Sequence, residues 1–137
     1  SRPGAAAGVV VLDWQMVGQG VGPLDLAWFA SSSFLEARVP GRAREGREVL
    51  EAYWRALTSS GVDGARYSFE AAWRDYLLGL LWSFLVSVQA VKFGEPTEVL
   101  ATWLGRAAHA MVDAGAHKVP LARLAAEEAA ARGAPGG

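Results

Sequence analysis

Asp13 is the carboxylate in this chain placed most clearly for chemistry. It follows Val9, Val10, Val11 and Leu12, an apolar run rich in β-branched residues that reads as a short buried strand, so its side chain arrives where that strand stops. A charge at the carboxyl end of a strand is usually there for a ligand, although a lone Asp is equally at home there as a turn residue. Gln15 lies two positions on and shares its side along extended backbone, while Trp14 faces the opposite way. Gly18, Gly20 and Gly22 then alternate, which lets the backbone turn tightly or pass close to another group. Pro23 stands near a helix start, where its missing N–H costs nothing. Asp25 is a first-turn acid that the helix dipole favours.

Other chemistries find little in these residues. There are no cysteines, which excludes disulfides, zinc–thiolate sites and thiol catalysis. The two histidines, His109 and His117, lack metal-ligand spacing to each other or to a nearby carboxylate, and no phosphate-binding loop or nucleophile elbow is present. The glycine run at 18–22 leads from a strand to a helix but lacks the remaining glycine of a dinucleotide-binding loop. With 13 basic and 14 acidic residues, a net charge of −1 and no basic block, nothing favours a nucleic-acid partner. The 137 residues, 52% hydrophobic and 20% charged, are enough for one globular domain with a substantial core. Trp73, Tyr76 and Trp82 suit a substrate pocket, and they equally suit core packing at helical spacing.

Taken together, Asp13-Trp14-Gln15, the glycine-punctuated loop and Asp25-Leu26-Ala27 resemble the segment that follows the catalytic loop in the aminoglycoside phosphotransferase and choline-kinase-like superfamily of small-molecule kinases, which includes ecdysteroid-kinase-like enzymes. The resemblance covers residues 9–29. It implies a mainly α fold: the helical C-terminal lobe of a protein-kinase-like α+β fold, with one short N-terminal β-strand or hairpin remnant. It also implies ATP and Mg2+ as cofactors, a hydroxylated small molecule as substrate, and Asp13 as the catalytic magnesium ligand. Magnesium is small and reluctant to dehydrate, so one or two oxygen ligands beside the ATP phosphates suffice. Gln15 would lie beside the cofactor, orienting substrate or water. Asp25 would open a buried helix and brace the catalytic loop by hydrogen bonds.

The family's catalytic loop, His-Gly-Asp followed by Asn, and its N-terminal lobe with the ATP-anchoring Lys are not in this sequence. The resemblance therefore implies a piece of a longer enzyme, inactive alone, with the missing N-terminal lobe as its partner; the absence of an initiator Met fits that expectation. Abundant Ala, Gly and Arg suggest a GC-rich, bacterial coding sequence, and the lack of a signal peptide makes the cytoplasm the expected location. The rival reading is a non-catalytic helical module that packs against a partner protein through its aromatic faces.

The positioning elements are read as helices. A first helix over 23–36 carries apolar residues nearly all round, as a central helix should, and Val39, Pro40 and Gly41 break it. A second spans 42–59, with Val49, Leu50, Tyr53, Trp54 and Leu57 on one face, Glu51 and Arg55 paired on another, and Gly61 as its stop. Ser68 caps a third helix over 69–93. No formal charge occurs from Tyr76 to Val91, yet this run is short of the roughly 20 residues of a membrane span and is interrupted by Gly79, Ser83, Ser87 and Gln89, so a buried core helix is expected and no membrane partner. A fourth helix follows Thr97 to Ala114, with Val99, Leu100, Trp103, Leu104, Ala107, Ala108 and Met111 as its inner face and Gly115 as its stop. An Ala-rich helix over 121–132 ends the domain at residue 132, and the Gly-rich tail 133–137 is expected to be disordered.

Overall fold

A computed structural model of the chain describes residues 18–34, 42–94 and 97–119. The expected strand at 9–12, the helix at 121–132 and the tail lie outside these, as do Asp13 and Gln15. Among the described residues the fold is mainly α. The elements are α1 (Gly22–Phe29), continued by a π turn (Ala30–Phe34), then α2 (Arg42–Ser59), α3 (Phe69–Phe93), α4 (Glu98–Asp113) and a 3-10 turn (Ala116–Lys118).

Helix ends follow the local chemistry of the chain. The Ser68 hydroxyl accepts from Ala71 N at 3.2 Å and that of Thr97 from Leu100 N at 3.2 Å, each satisfying a free first-turn donor. Gly61 (φ 104°) and Gly115 (φ 73°) take the left-handed conformation just past α2 and α4, where a Cβ would be strained. Between α2 and α3, the Asp63 carboxylate accepts from Ala65 N at 2.8 Å and fixes the turn. Glu51 meets Arg55 at 3.4 Å as expected, and also Arg47 at 3.8 Å. Both pairs are solvated and contribute little.

Helix α3 is the spine of the bundle, with α1 and α4 packed along it and α2 closing one side. The core holds Ala27, Ala30, Leu50, Ala72, Tyr76, Leu80 and Ala116. Of the residues that break the apolar run of α3, Gly79, Ser83 and Ser87 are buried and Gln89 is exposed. At Gly79 the two backbones nearly touch: a Cβ there would lie 2.7 Å from Ala27 Cβ and 3.0 Å from Leu24 Cα. The Ser83 and Ser87 hydroxyls turn back to the carbonyls of Gly79 and Ser83 at 2.8 Å, so their burial leaves no unpaired hydroxyl. Small residues at four-residue spacing thus bring the helices together. Leu50 and Leu80 are enclosed at 0% and 1% exposure. Replacing either by Ala should cost about 2–5 kcal/mol, read as a shift in urea midpoint without a change in slope.

Several expectations need correction. The first helix is not buried all round: Pro23, Ala27, Ala30 and Ser31 are enclosed, while Asp25 faces solvent and Phe29 is 49% exposed. Nor is it regular, because from Ala30 it widens into the π turn. Ser31 Oγ donates to Trp28 O at 3.1 Å and an Arg106 Nη donates to Ser32 O at 2.8 Å, so side chains compete there for backbone carbonyls. Helix α3 is less enclosed than a core helix. Only 28% of its most apolar stretch is buried, and Trp82, Leu85, Val88 and Phe93 are exposed. On α4, Val99 and Trp103 of the expected inner face are 57% and 38% exposed. An apolar side chain at helical spacing is covered only where a neighbouring element reaches it.

Candidate functional site

The glycine loop enters the described structure at Gly18 and is exposed through Val21. Val21 opens α1 in an extended conformation without a side-chain cap, and Pro23 occupies the first turn. Tyr53 of α2 leans over this end: a Cβ on Gly22 would run into its phenol. Gly22 therefore lets the loop pass close to α2 before the chain becomes helical. Asp25 sits in the first turn with its side chain in solvent. Asp25→Ala in this chain should accordingly change stability by less than about 1 kcal/mol, the scale of an exposed charge–dipole interaction. Thermal unfolding of the variant checks this.

Of the aromatic residues proposed for a pocket, the structure brings two together and separates the third. Trp73 and Tyr76 stack at 5.4 Å with planes 17° apart. Arg47 reaches over Trp73 at 5.2 Å and over Phe69 at 5.0 Å, and Phe69 meets Trp54 edge-on at 6.0 Å. This is a packed tier joining α2 to α3, in which Arg47 already supplies the cation. Trp54 Nε1 donates to Tyr67 O at 2.9 Å, and the Tyr67 hydroxyl donates to Asp75 Oδ2 at 2.8 Å, tying the interhelical turn to both helices. Trp82 lies elsewhere, against Trp28 of α1 at 5.7 Å.

Burial pushes the Tyr76 phenol up to about 12 from 10.0. The Tyr67 phenol is raised further, by burial first and then by its bond to the Asp75 carboxylate. In both cases the folded state holds a proton that the unfolded chain has lost above pH 10. The associated stability is complete below pH 10 and drains away as pH rises toward 12. For Tyr76 the loss is on the order of 2 kcal/mol. Melts at pH 8, 10 and 11.5 should show a falling midpoint, and Tyr76→Phe should flatten the decline.

The remaining titratable candidates do not assemble. His109 is exposed, its Nδ1 set 2.7 Å from Gly105 O, and among the described residues no group of three His, Asp or Glu is disposed to hold a metal ion. Arg106 was not singled out in the sequence, yet it bonds the π turn and its Nε is enclosed without a hydrogen-bond partner. A sequence signal existed: a lone cation three residues after Trp103 and one before Ala107, at the edge of an apolar face. Compared with known protein families, with curated proteins and with solved structures, the chain finds no match.

Proposed function

We propose that this chain is part of an ATP-dependent small-molecule phosphotransferase, the helical lobe that carries Asp13 as magnesium ligand. The observation that carries the reading is the motif Asp13-Trp14-Gln15, glycine loop, Asp25-Leu26-Ala27. The helix bundle supports it: α1 starts directly after the glycine loop, at Gly22, and packs extensively on the long α3, as an anchoring helix behind a catalytic loop should. Phosphoryl transfer asks a protein mainly for positioning and charge neutralisation. Asp13 supplies metal binding, Gln15 orients substrate or water beside it, and Asp25, free in solvent at the α1 start, is available to brace a catalytic loop. ATP, Mg2+ and a hydroxylated small molecule are the partners this chemistry needs. The Asp or His-Gly-Asp loop facing the substrate hydroxyl comes from the missing part of the enzyme.

The 137-residue chain alone should be inactive, because it supplies neither the catalytic-loop carboxylate nor the Lys that clamps the triphosphate. Incubated with ATP, Mg2+ and a panel of aminoglycosides, macrolides, choline and other hydroxylated molecules, it should release no ADP above background. The same polypeptide extended upstream through the catalytic loop and N-terminal lobe should release ADP with one class of the panel. Turnover by the short chain, or none by the extended one with any hydroxylated acceptor, contradicts the reading.

A further inference from the structure

Three tryptophans from three helices meet where α1 passes into its π turn. Trp28 stands edge-on to Trp82 of α3 and Trp103 of α4, with ring centroids 5.7 Å and 6.4 Å away and planes inclined by 61° and 72°. Trp82 and Trp103 leave 44% and 38% of their surface to solvent, so the array is open. Arg106 lies three residues beyond Trp103, one turn along the same side of α4. Its bond to Ser32 O, one turn beyond Trp28, holds the guanidinium beside the array. Its Nε is enclosed with no hydrogen-bond partner. A guanidinium is always charged and offers five donors in a rigid fork, and a buried Nε without a partner is unusual. The backbone it touches is a π turn, a distortion common at functional sites.

We propose that this junction binds a planar aromatic anion, its ring packed against Trp82 and Trp103 and its anionic group on the Arg106 guanidinium. The rings provide apolar contact and stacking, and the guanidinium provides a directional, charge-assisted bond. Each half is insufficient alone: a small anion leaves the indoles bare, and a neutral arene leaves the cation unpaired. The site does not rest on the phosphotransferase reading. It lies at the C-terminal end of α1, whereas the glycine loop enters at the other end.

The test is a titration of the 137-residue chain with 2-naphthoate, followed through the indole N–H resonances. Saturable shifts should appear at Trp28, Trp82 and Trp103. Acetate and neutral 2-naphthalenemethanol should bind at least about tenfold more weakly, as should 2-naphthoate to Arg106→Gln. Because Arg106→Gln also loses the bond to Ser32, two further variants accompany it, each checked by circular dichroism. Trp82→Ala removes an exposed ring and should weaken binding to a similar extent. Arg106→Lys keeps the charge without the fork and should recover part of the affinity. The proposal is overturned by absence of saturable binding to the unaltered chain. Equal binding of the neutral analogue, or affinity unchanged in Arg106→Gln and Trp82→Ala, overturns it too by marking the face as a non-specific apolar patch.

Discussion

Asp13→Ala in the extended, active polypeptide should lower turnover by orders of magnitude while leaving the fold intact. Asp13 follows an apolar run rich in Val and precedes a glycine-rich stretch, the sequence setting on which its assignment as metal ligand rests. On the phosphotransferase reading, Asp13 would hold the magnesium ion of ATP-Mg, which would supply charge neutralisation for phosphoryl transfer. Such neutralisation is worth several kcal/mol, on the order of a thousandfold or more in rate. Asp13→Asn keeps an oxygen ligand but removes the charge, and should fall between the parent and the Ala variant. Steady-state ADP release under saturating ATP, with Mg2+ varied, separates the contributions: loss of metal binding appears as a raised Mg2+ requirement. Near-normal turnover by Asp13→Ala would remove Asp13 from the site.

A large loss of stability is also expected at Gly79. A Cβ there meets Ala27 Cβ at 2.7 Å and the Leu24 backbone at 3.0 Å, and neither can give way without moving α1 off α3. Gly79→Val adds further methyl groups in the same gap, so the helices must separate and uncover Ala27 and Leu80, at a cost on the order of 3 kcal/mol. Gly79→Ala should also destabilise, although less, because better helix propensity offsets about 1 kcal/mol of the overlap. Gly105 of α4 is the internal control. A Cβ there meets nothing within 4 Å, and Gly105→Ala should stabilise by up to about 1 kcal/mol. Opposite signs for the two Gly→Ala changes in urea unfolding would identify the α1–α3 approach as the tight contact. Equal and small effects would mean that the helices are not so closely packed.

Helix positions were legible in the sequence because their signals are local. Ser68 and Thr97 are capping residues, Gly61 and Gly115 are stops, and α2 and α3 begin and end where these and the hydrophobic period place them. Which apolar residues are covered depends on neighbouring elements, and there local reasoning failed. Phe29, Trp82, Leu85 and Val99 fall at helical spacing yet lie exposed. Gly79, Ser83 and Ser87 read as interruptions of an apolar run, but all three are buried, and at Gly79 the missing side chain is what lets α1 approach α3. The π turn was invisible for a similar reason. It arises where Ser31 and a distant side chain, Arg106, draw on backbone carbonyls, and no period in the chain announces a bond between residues 74 positions apart. For the candidate site, the sequence marked the entry to α1 and Asp25, but placed Asp25 at the start of a buried helix, whereas its side chain lies in solvent. It grouped Trp82 with Trp73 and Tyr76 because they share a helix, although nine residues of helix turn Trp73 and Trp82 to opposite sides.

The central claim is tested most directly by determining the coding sequence upstream of Ser1 in its source. The phosphotransferase reading predicts, in frame and about one short hairpin before Val9, a His-x-Asp followed by Asn five residues after that Asp, because the substrate hydroxyl needs a carboxylate that Asp13, as metal ligand, does not supply. An upstream open reading frame without that loop, or a start codon placed immediately before Ser1, would contradict it.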